Sequence, residues 1–171
     1  MFCHRNDSWM SQNEQMFLYN FIRLNAKGDF LELGAFRGGT SCLIREALHS
    51  KYKFYTIDSF DDPDFSNEPE YNQFSVSEKL SKIGKDFVVI SSRAEHVKWN
   101  TKVWGTLFDA NHDFFWLVLH FHIFAPFTEY MFVHDYCDDH QGVVEFIKWL
   151  KYFDKYEILY IVDTLVVIRR K

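Results

Sequence analysis

Few cysteines and a lack of excess positive charge limit what this sequence of 171 residues can be. Its three cysteines, Cys3, Cys42 and Cys137, lie far apart and form no C-x-x-C pair, so neither a zinc knuckle nor a disulfide framework is expected. The formal net charge of −5 argues against a broad surface for nucleic acid. This cysteine usage fits a reducing compartment, and we expect a cytoplasmic protein that binds no nucleic acid.

Long hydrophobic segments are missing as well. The longest apolar run, residues 114–127, contains His120, His122 and Pro126 and is too short to span a bilayer. The first residues, M-F-C-H-R-N-D-S-W, lack the continuous apolar core of a signal peptide, so no membrane partner is expected. Because no internal repeat or Pro/Ser-rich linker divides the chain, residues 1–171 are expected to form a single domain.

What the sequence does contain is an alternation of strand-like and helix-like segments. This alternation predicts an α/β domain with a Rossmann-like, doubly wound, mostly parallel sheet of seven strands and a C-terminal antiparallel hairpin. The predicted helices cover residues 10–24, a segment ending near residue 48, and residues 74–83, 113–124 and 141–153. The predicted strands cover residues 30–33, 53–57, 87–90, 103–108, 130–133, 157–162 and 165–169.

The turn after the first predicted strand is rich in glycine. Gly34, Gly38 and Gly39 lie between this strand and a helix that Thr40 or Ser41 is predicted to cap. Glycine tolerates positive φ and lets a ligand approach the backbone closely. A strand, a glycine turn and a helix N-terminus in this order are typical of a nucleotide-type site, although a plain strand-to-helix connection has the same pattern.

Two better-known phosphate-binding patterns do not fit this turn. A dinucleotide fingerprint would need glycine at Phe36, and a P-loop would need Lys-Ser or Lys-Thr after Gly39. Glu32, in a strand expected to be buried, implies a positively charged or hydrogen-bond-donating partner. The glycine spacing, for its part, speaks against an NAD-type site and against a triphosphate site.

Polar residues stand at the ends of the predicted strands. In open α/β sheets ligands bind beyond the carboxyl ends of the strands, so these side chains are expected to converge. The residues are Glu32, Asp58, Ser91, Ser92, Asp109, His134 and Asp135. An acidic residue at the end of the second strand, such as Asp58, is able to accept hydrogen bonds from both ribose hydroxyls.

Asp109, His134 and Asp135 combine two carboxylates with one imidazole. Carboxylate oxygens suit Mg²⁺, while an imidazole shifts the preference towards manganese, iron or zinc. Helix capping is the other explanation for the acidic residues in these segments. Capping accounts better for those that do not end a strand, namely Asp113, Asp138 and Asp139.

From about residue 10 to residue 171 the chain resembles a small class I S-adenosylmethionine-dependent methyltransferase. It is most similar to the branch of macrocin-type sugar O-methyltransferases and cephalosporin-hydroxylase-like proteins. F-L-E-L-G-A-F-R-G-G-T-S and Y-T-I-D-S-F-D-D-P are similar to that branch's cofactor loop and second-strand motif. L-F-D-A-N-H-D-F and M-F-V-H-D-Y are similar to its I-D-G-D-H-x-Y and H-D-Y segments. The resemblance implies methyl transfer from S-adenosyl-L-methionine to a hydroxyl of a small molecule or sugar, with a cofactor-binding protein without turnover as the alternative.

The resemblance also implies residue roles. Glu32 and Gly34 would lie against the methionine part of the cofactor, Asp58 and Ser59 at its ribose, and Ser92 and Arg93 near its adenine. Ala35, Gly38 and Asp109 complete the implied cofactor site. Mg²⁺ or another divalent cation would be held by Asp109, His134 and Asp135 and would lower the pKa of the acceptor hydroxyl.

Two positions depart from the family pattern. Asn111 stands where the family often has an acidic residue that serves as base, which leaves His112 as the candidate base beside Asp109. His134 stands where some metal-dependent relatives carry a carboxylate, and this exchange is expected to weaken magnesium binding. Abundant aromatic residues and the lack of a capping domain favour a homodimer, with the loop 59–72 and the N-terminal helix covering the site.

Overall fold

A computed structural model of the chain describes residues 7–65, 67–83 and 86–171, so Cys3 lies outside the described residues. Within them, five α-helices and seven strands follow one another. Their bounds are α1 (Gln12–Asn25), β1 (Phe30–Leu33), α2 (Gly39–Ala47), β2 (Phe54–Asp58), α3 (Gln73–Ser81), β3 (Phe87–Ser91), β4 (Val103–Phe108), α4 (Phe114–Phe124), β5 (Thr128–Val133), α5 (Gln141–Leu150), β6 (Tyr156–Val162) and β7 (Leu165–Arg170).

The seven strands form one sheet in the order β3-β2-β1-β4-β5-β7-β6. The first five strands are parallel, and β7 runs antiparallel to both β5 and β6. This arrangement confirms the expected Rossmann-like sheet and its C-terminal hairpin. The chain winds first outwards from β1 and then returns through β4, so the turns after β1 and β4 meet at one edge.

Apolar helix faces cover both sides of the sheet. On one side, Leu18 and Ile22 of α1 pack with Leu43 of α2 and Leu80 of α3. On the other, the buried residues come from α4 and α5, including Phe121. Burial on both faces explains why β1 and β4 are continuously apolar apart from a few polar side chains. In the part of the chain that the structure describes, no helix has the length and apolar character to cross a membrane.

Several predicted boundaries are wrong by a few residues. Helix α1 begins at Gln12 because Ser11 and Glu14 form a capping box, in which each side chain accepts from the other residue's backbone N–H. Helix α5 ends at Leu150 and not at residue 153, and β5 begins at Thr128 rather than at residue 130. Pro126 lies in a 3₁₀ turn directly after α4, as expected for a residue that stops a helix.

The predicted caps of α2 and α5 are also wrong. Gly38, in a left-handed conformation, is the N-cap of α2 and makes no side-chain cap. Ser41 instead donates to the Glu32 carboxylate in the core. The N-cap of α5 is His140 and not Asp138 or Asp139. The predicted cap of α4 is confirmed, because Asp113 Oδ1 accepts from the Phe115 N–H at 2.9 Å.

Candidate functional site

A cavity of about 850 Å³ opens beyond the carboxyl ends of β1, β2, β3, β4 and β5. This volume lies within the usual range for ligand sites, roughly 300–1,000 Å³. The predicted site residues that line it are Gly34, Ala35, Asp58, Ser59, Ser92, Arg93, Asp109, His112, His134 and Asp135. Two further predicted residues, Glu32 and Gly38, are not among its described lining. The strand ends therefore bring together most of the predicted set.

The floor of the cavity is the turn between β1 and α2. Gly34 has a φ of 95°, and a Cβ on it would lie 2.5 Å from the Asp109 backbone oxygen. The Asp109 N–H in turn donates to the Leu33 oxygen at 2.9 Å, which fixes the spacing of the two strand ends. Only glycine satisfies both the positive φ and the short distance, so the sequence signal at this turn has a direct steric cause.

Asp58 holds the same turn from the side of β2. Its Oδ2 accepts the N–H groups of Ala35 and Phe36, each at 2.8 Å, and its Oδ1 accepts the Phe60 N–H at 2.8 Å. Burial raises the pKa of the Asp58 carboxyl, while these backbone hydrogen bonds act in the opposite direction. Asp58 thus both shapes the turn and presents a carboxylate to the cavity.

Glu32 lies beneath the cavity and is not among its described lining, and its contact with a ligand stays a prediction. Its side chain is fully buried and accepts hydrogen bonds from Ser41 and Thr56. Burial raises its pKa to about 8, with a smaller contribution from the charges of Asp109 and Asp58, while the two hydrogen bonds oppose the shift. Both hydroxyls donate to the same atom, Oε2, whereas the buried Oε1 has no hydrogen-bond partner among the described residues.

Replacing Glu32 by glutamine should remove a pH dependence of stability. The folded-state pKa of about 8 lies above the ordinary 4.5, so the folded protein binds the Glu32 proton more tightly than the unfolded chain does. This contribution is fully present below pH 4.5 and is lost as pH rises through 8, at up to about 1.4 kcal/mol per pH unit. Urea unfolding between pH 5 and 8 should show this decline in the native protein and a flatter profile in Glu32→Gln.

The matched control is Glu78→Gln on α3, because Glu78 is exposed and its ion pair among the described residues is a surface pair with Lys82. Its profile should follow that of the native protein. If the unfolding free energies of the native protein and Glu32→Gln changed in parallel between pH 5 and 8, the Glu32 carboxyl would not be protonated in the folded protein over that range.

His134, at the end of β5, sits among three carboxylates. Its Nδ1 lies 3.1 Å from Asp109 Oδ1 and 3.2 Å from Asp135 Oδ2, and its Nε2 lies 3.4 Å from Glu14 Oε2. Burial opposes a charge on the ring, but these carboxylates outweigh it and raise the pKa of His134 to about 12. His134 is therefore a buried cation.

Glu14 connects this cation to the N-terminal helix and to the C-terminal hairpin. Its Oε1 accepts from the Thr164 N–H at 2.8 Å and from the Thr164 hydroxyl at 2.7 Å. Burial opposes its charge, but bonds from His134, Thr164 and Ser11 lower the pKa of Glu14 to about 2. Through Glu14, α1 therefore holds the His134 ring in place below the cavity.

His112, Asp135 and His140 form a second polar cluster on the cavity wall. The His112 Nε2 lies 2.9 Å from Asp135 Oδ2 and 3.8 Å from Asp109 Oδ1. Contacts with Asp109 and then Asp135 raise the pKa of His112 to about 9, against the effect of burial. The rings of His112 and His140 are 4.3 Å apart between centroids.

The other end of the cavity lies beyond β3. Arg93 donates to Asp61 through Nε at 3.1 Å and through a terminal nitrogen at 3.0 Å, so the guanidinium is directed towards the acidic loop. The backbone N–H of Ser92 donates to the backbone carbonyl oxygen of Asp58 at 2.9 Å. Behind them the buried His120 Nε2 lies 3.3 Å from Glu95 Oε2.

Aromatic side chains cover the glycine turn. The centroids of Trp9 and Phe36 are 5.3 Å apart, and those of Phe36 and Phe65 are 4.9 Å apart. Trp9, Phe65 and Tyr71 also line the cavity. The prediction that the loop 59–72 covers the site is supported, whereas the N-terminal contribution comes from residues just before α1.

Sequence reasoning missed Glu14 and His140. Each belongs to the start of a helix: Glu14 is the acidic member of the capping box of α1, and His140 directly precedes α5. Neither pattern distinguishes a site residue from an ordinary helix start.

Comparison with known proteins identifies the fold. The sequence matches no family model, and the search of curated proteins gives no match. Among solved structures, the O-methyltransferase TomG from Streptomyces achromogenes, in complex with SAM, is 18% identical with a TM-score of 0.68, over 96% of this chain and 82% of that one.

Two further solved structures of methyltransferases are similar to this chain in fold. The methyltransferase PaMTH1 from Podospora anserina, bound to SAH, is 16% identical with a TM-score of 0.71, over 95% of this chain and 80% of that one. An O-methyltransferase from Bacillus cereus in complex with SAH is 12% identical with a TM-score of 0.67, over 98% and 84%. The chain therefore has the class I methyltransferase fold, and the resemblance seen in its motifs is confirmed at the level of the fold.

Proposed function

We propose that the protein is an S-adenosylmethionine-dependent O-methyltransferase that acts on a hydroxyl group of a small molecule. The observation that carries this proposal is the turn at Gly34, where the missing Cβ lets the backbone of Asp109 pack against the turn and so brings Asp58 and Asp109 to the same cavity. The similar structures that are in complex with SAM or SAH support it, because they share this fold. Sugars remain a narrower acceptor class within the proposal, and homodimer formation stays a prediction.

The cavity residues fit the cofactor. The turn at Gly34 and Ala35 lines the cavity where the resemblance places the methionine end, and the Asp58 carboxylate, at the end of β2, faces the cavity where ribose hydroxyls are able to donate to it. Ser92 and Arg93 lie on the wall beyond β3, where the resemblance places the adenine. When bound, S-adenosylmethionine supplies a methyl group already activated on a sulfonium, so the protein's main contribution is to position the acceptor.

Asp109, His134 and Asp135 bring one ligand atom each within 4.8 Å of one another, as the predicted metal set requires, but their chemistry suits magnesium poorly. Both ring nitrogens of His134 face carboxylate oxygens, so both act as donors and neither offers a lone pair to a metal. Mg²⁺ is bound mainly through oxygen ligands and water, and the His134 cation already neutralises Asp109. We therefore assign no step to a magnesium ion held by Asp109, His134 and Asp135.

His112 lies on the wall where an acceptor would meet the cofactor. A base must be unprotonated, and a pKa of about 9 means that the His112 ring carries a proton at neutral pH. Its role as the base stays a prediction of the resemblance. On the acceptor side, the chain's contribution is a polar face of His112, Asp135 and His140 that is able to bind and orient a hydroxyl.

Calorimetry with S-adenosylmethionine and S-adenosylhomocysteine tests the proposal. We expect one site per chain, and we expect Asp58→Asn to weaken S-adenosylhomocysteine at least about tenfold, because about 1.4 kcal/mol is lost with the carboxylate. Asp64→Asn in the neighbouring loop is the control, since Asp64 does not line the described cavity. Absence of heat from both ligands at high protein concentration would remove the proposal.

A panel of hydroxylated acceptors then separates turnover from binding alone. A methylated product identified by mass spectrometry supports the enzyme. Cofactor binding without product across the panel supports the alternative, a protein of this fold that binds the cofactor without turnover.

A further inference from the structure

We propose that residues 7–9 form a strap that closes over the glycine turn, and that Lys79 of α3 holds this strap closed. All three residues of the strap, Asp7, Ser8 and Trp9, line the cavity. The attachment of the strap by Lys79 does not depend on the proposed function. Control of cofactor exchange by the strap rests on it.

The strap lies directly on the start of α2. A Cβ on Gly39, the first residue of that helix, would lie 2.5 Å from the Asp7 carbonyl carbon. Next to this contact, Ser8 Oγ and Thr40 Oγ1 form a hydrogen bond of 2.7 Å. Gly39 is not among the described lining of the cavity. The third glycine of the turn therefore leaves room for the strap.

Lys79 joins the strap to two other segments. Its Nζ donates to Asp7 Oδ2 at 2.8 Å, to Glu70 Oε2 at 2.6 Å and to the backbone oxygen of Arg37 at 3.0 Å. An ammonium group has three donors, and these three acceptors use all of them. Burial opposes the charge, but Asp7 and Glu70 raise the pKa of Lys79. One side chain thus fastens the strap to the loop 59–72 and to the glycine turn.

The remaining contacts of the strap are few and lie near the surface. The ring of Trp9 meets Phe36 and Phe65 edge-on, with centroids 5.3 and 5.8 Å apart, while 73% of the Trp9 side chain is exposed. Segments held by few buried apolar contacts open locally at low cost. Met10, the next residue, is buried in the core, so it fixes the end at which the strap joins the domain.

The hydrogen bonds of Lys79 are complete without a ligand. A change that breaks them favours opening in the free and in the bound protein alike. A shift common to both states leaves the equilibrium affinity unchanged, because only a difference between the states alters it. Loss of the Lys79 contacts should therefore speed both entry and exit of the cofactor, whereas loss of a residue that binds the cofactor would lower the affinity.

Limited proteolysis of the ligand-free chain tests the strap without any ligand. We expect chymotrypsin to cut after Trp9 at least about fivefold faster in Lys79→Met than in the native protein, which corresponds to about 1 kcal/mol, the upper range for a partly exposed ion pair. Cleavage that is slow relative to closing reports the population of the open form. Gly39→Ala should have the same effect, because its Cβ displaces the strap while alanine favours the helix α2.

Two further variants separate the attachment from a general loss of charge. Lys79→Arg keeps a cation with several donors and should restore part of the native resistance to cleavage. Lys82→Met is the matched control, since Lys82 lies at the C-cap of the same helix and pairs with Glu78 on the surface. It should be cut at the native rate. Circular dichroism confirms that each variant is folded.

Stopped-flow binding of S-adenosylhomocysteine then tests the control of exchange. In Lys79→Met the association and dissociation rates should both rise at least about fivefold, with a Kd within about threefold of the native value. Native cleavage rates in folded Lys79→Met or Gly39→Ala would overturn the strap. Faster cleavage with native binding rates, or an affinity lost through the dissociation rate alone, would overturn its control of exchange. If the native chain binds no S-adenosylhomocysteine, the proposed function fails and so does control of exchange, while the cleavage rates still decide whether Lys79 holds the strap.

Discussion

Replacing Gly34 by alanine should reduce the affinity for S-adenosylhomocysteine by at least about 100-fold, which corresponds to about 2.8 kcal/mol. The new Cβ would lie 2.5 Å from the Asp109 oxygen and 2.9 Å from the Ala110 Cα, both backbone atoms that no side-chain rotation can move. The ends of β1 and β4 would therefore have to separate. The φ of 95° adds strain of about 1–2 kcal/mol for a residue with a Cβ.

The same separation would disturb the hydrogen bonds that the Asp58 carboxylate accepts from the turn, so the loss should appear in binding as well as in stability. Calorimetry on the folded variant measures the first and urea unfolding measures the second. Gly28→Ala is the control, because its Cβ would meet the Trp104 side chain at 3.3 Å and requires a much smaller adjustment. An affinity in Gly34→Ala within threefold of the native protein would show that the cofactor does not depend on the geometry of this turn.

The topology was predictable because each element carries its own local pattern. Short apolar runs such as residues 103–108 and the Pro126 stop follow from strand burial and helix geometry, which act over a few residues. The strand-end rule predicts that Asp58, Asp109 and His134 meet at one cavity, and the structure confirms it. The sequence also indicated that Gly34 is needed for its conformation, although the steric partner, the Asp109 backbone, is 75 residues away and only the fold reveals it.

What failed to follow from the sequence depends on long-range pairing of polar groups. The sequence predicts a ligand contact for Glu32, yet Ser41 and Thr56 both donate to its Oε2 inside the core, while Oε1 has no partner among the described residues. The resemblance predicts a metal ligand at His134, and the structure adds Glu14, 120 residues away, at the ring nitrogen opposite Asp109. A local pattern shows that a buried polar group needs a partner, but it does not show whether that partner is a ligand or another part of the chain.

Arg45 is a buried residue of this kind, and its loss should cost the protein about 3–5 kcal/mol of unfolding free energy. The side chain is fully buried in α2. One terminal nitrogen donates to the Tyr52 oxygen at 2.7 Å and the Asp86 oxygen at 2.8 Å, and the other donates to the oxygens of Leu48 and His49, each at 3.1 Å. One guanidinium thus ties the end of α2 to the segments that enter β2 and β3.

An apolar substitute does not compensate here, although replacing a whole buried ion pair by apolar residues often does. In Arg45→Met the partners are backbone carbonyls, which remain in place and lose the guanidinium. The His49 and Asp86 oxygens keep a backbone N–H from Tyr52 and Phe54, so the loss falls mainly on the oxygens of Tyr52 and Leu48, and a buried group left unsatisfied costs about 1–3 kcal/mol. Arg45→Lys should recover only part of the loss, since one ammonium does not reproduce the planar fork of donors. Arg23→Met, at the exposed end of α1, should stay within about 0.5 kcal/mol of the native protein in urea unfolding. Equal unfolding free energies for Arg45→Met and Arg23→Met would mean that water reaches the four carbonyls and that the guanidinium is not what joins α2 to the sheet. A total stability of about 5–15 kcal/mol is usual for a domain, so the expected loss is a large share of what keeps the cofactor turn and its strands together.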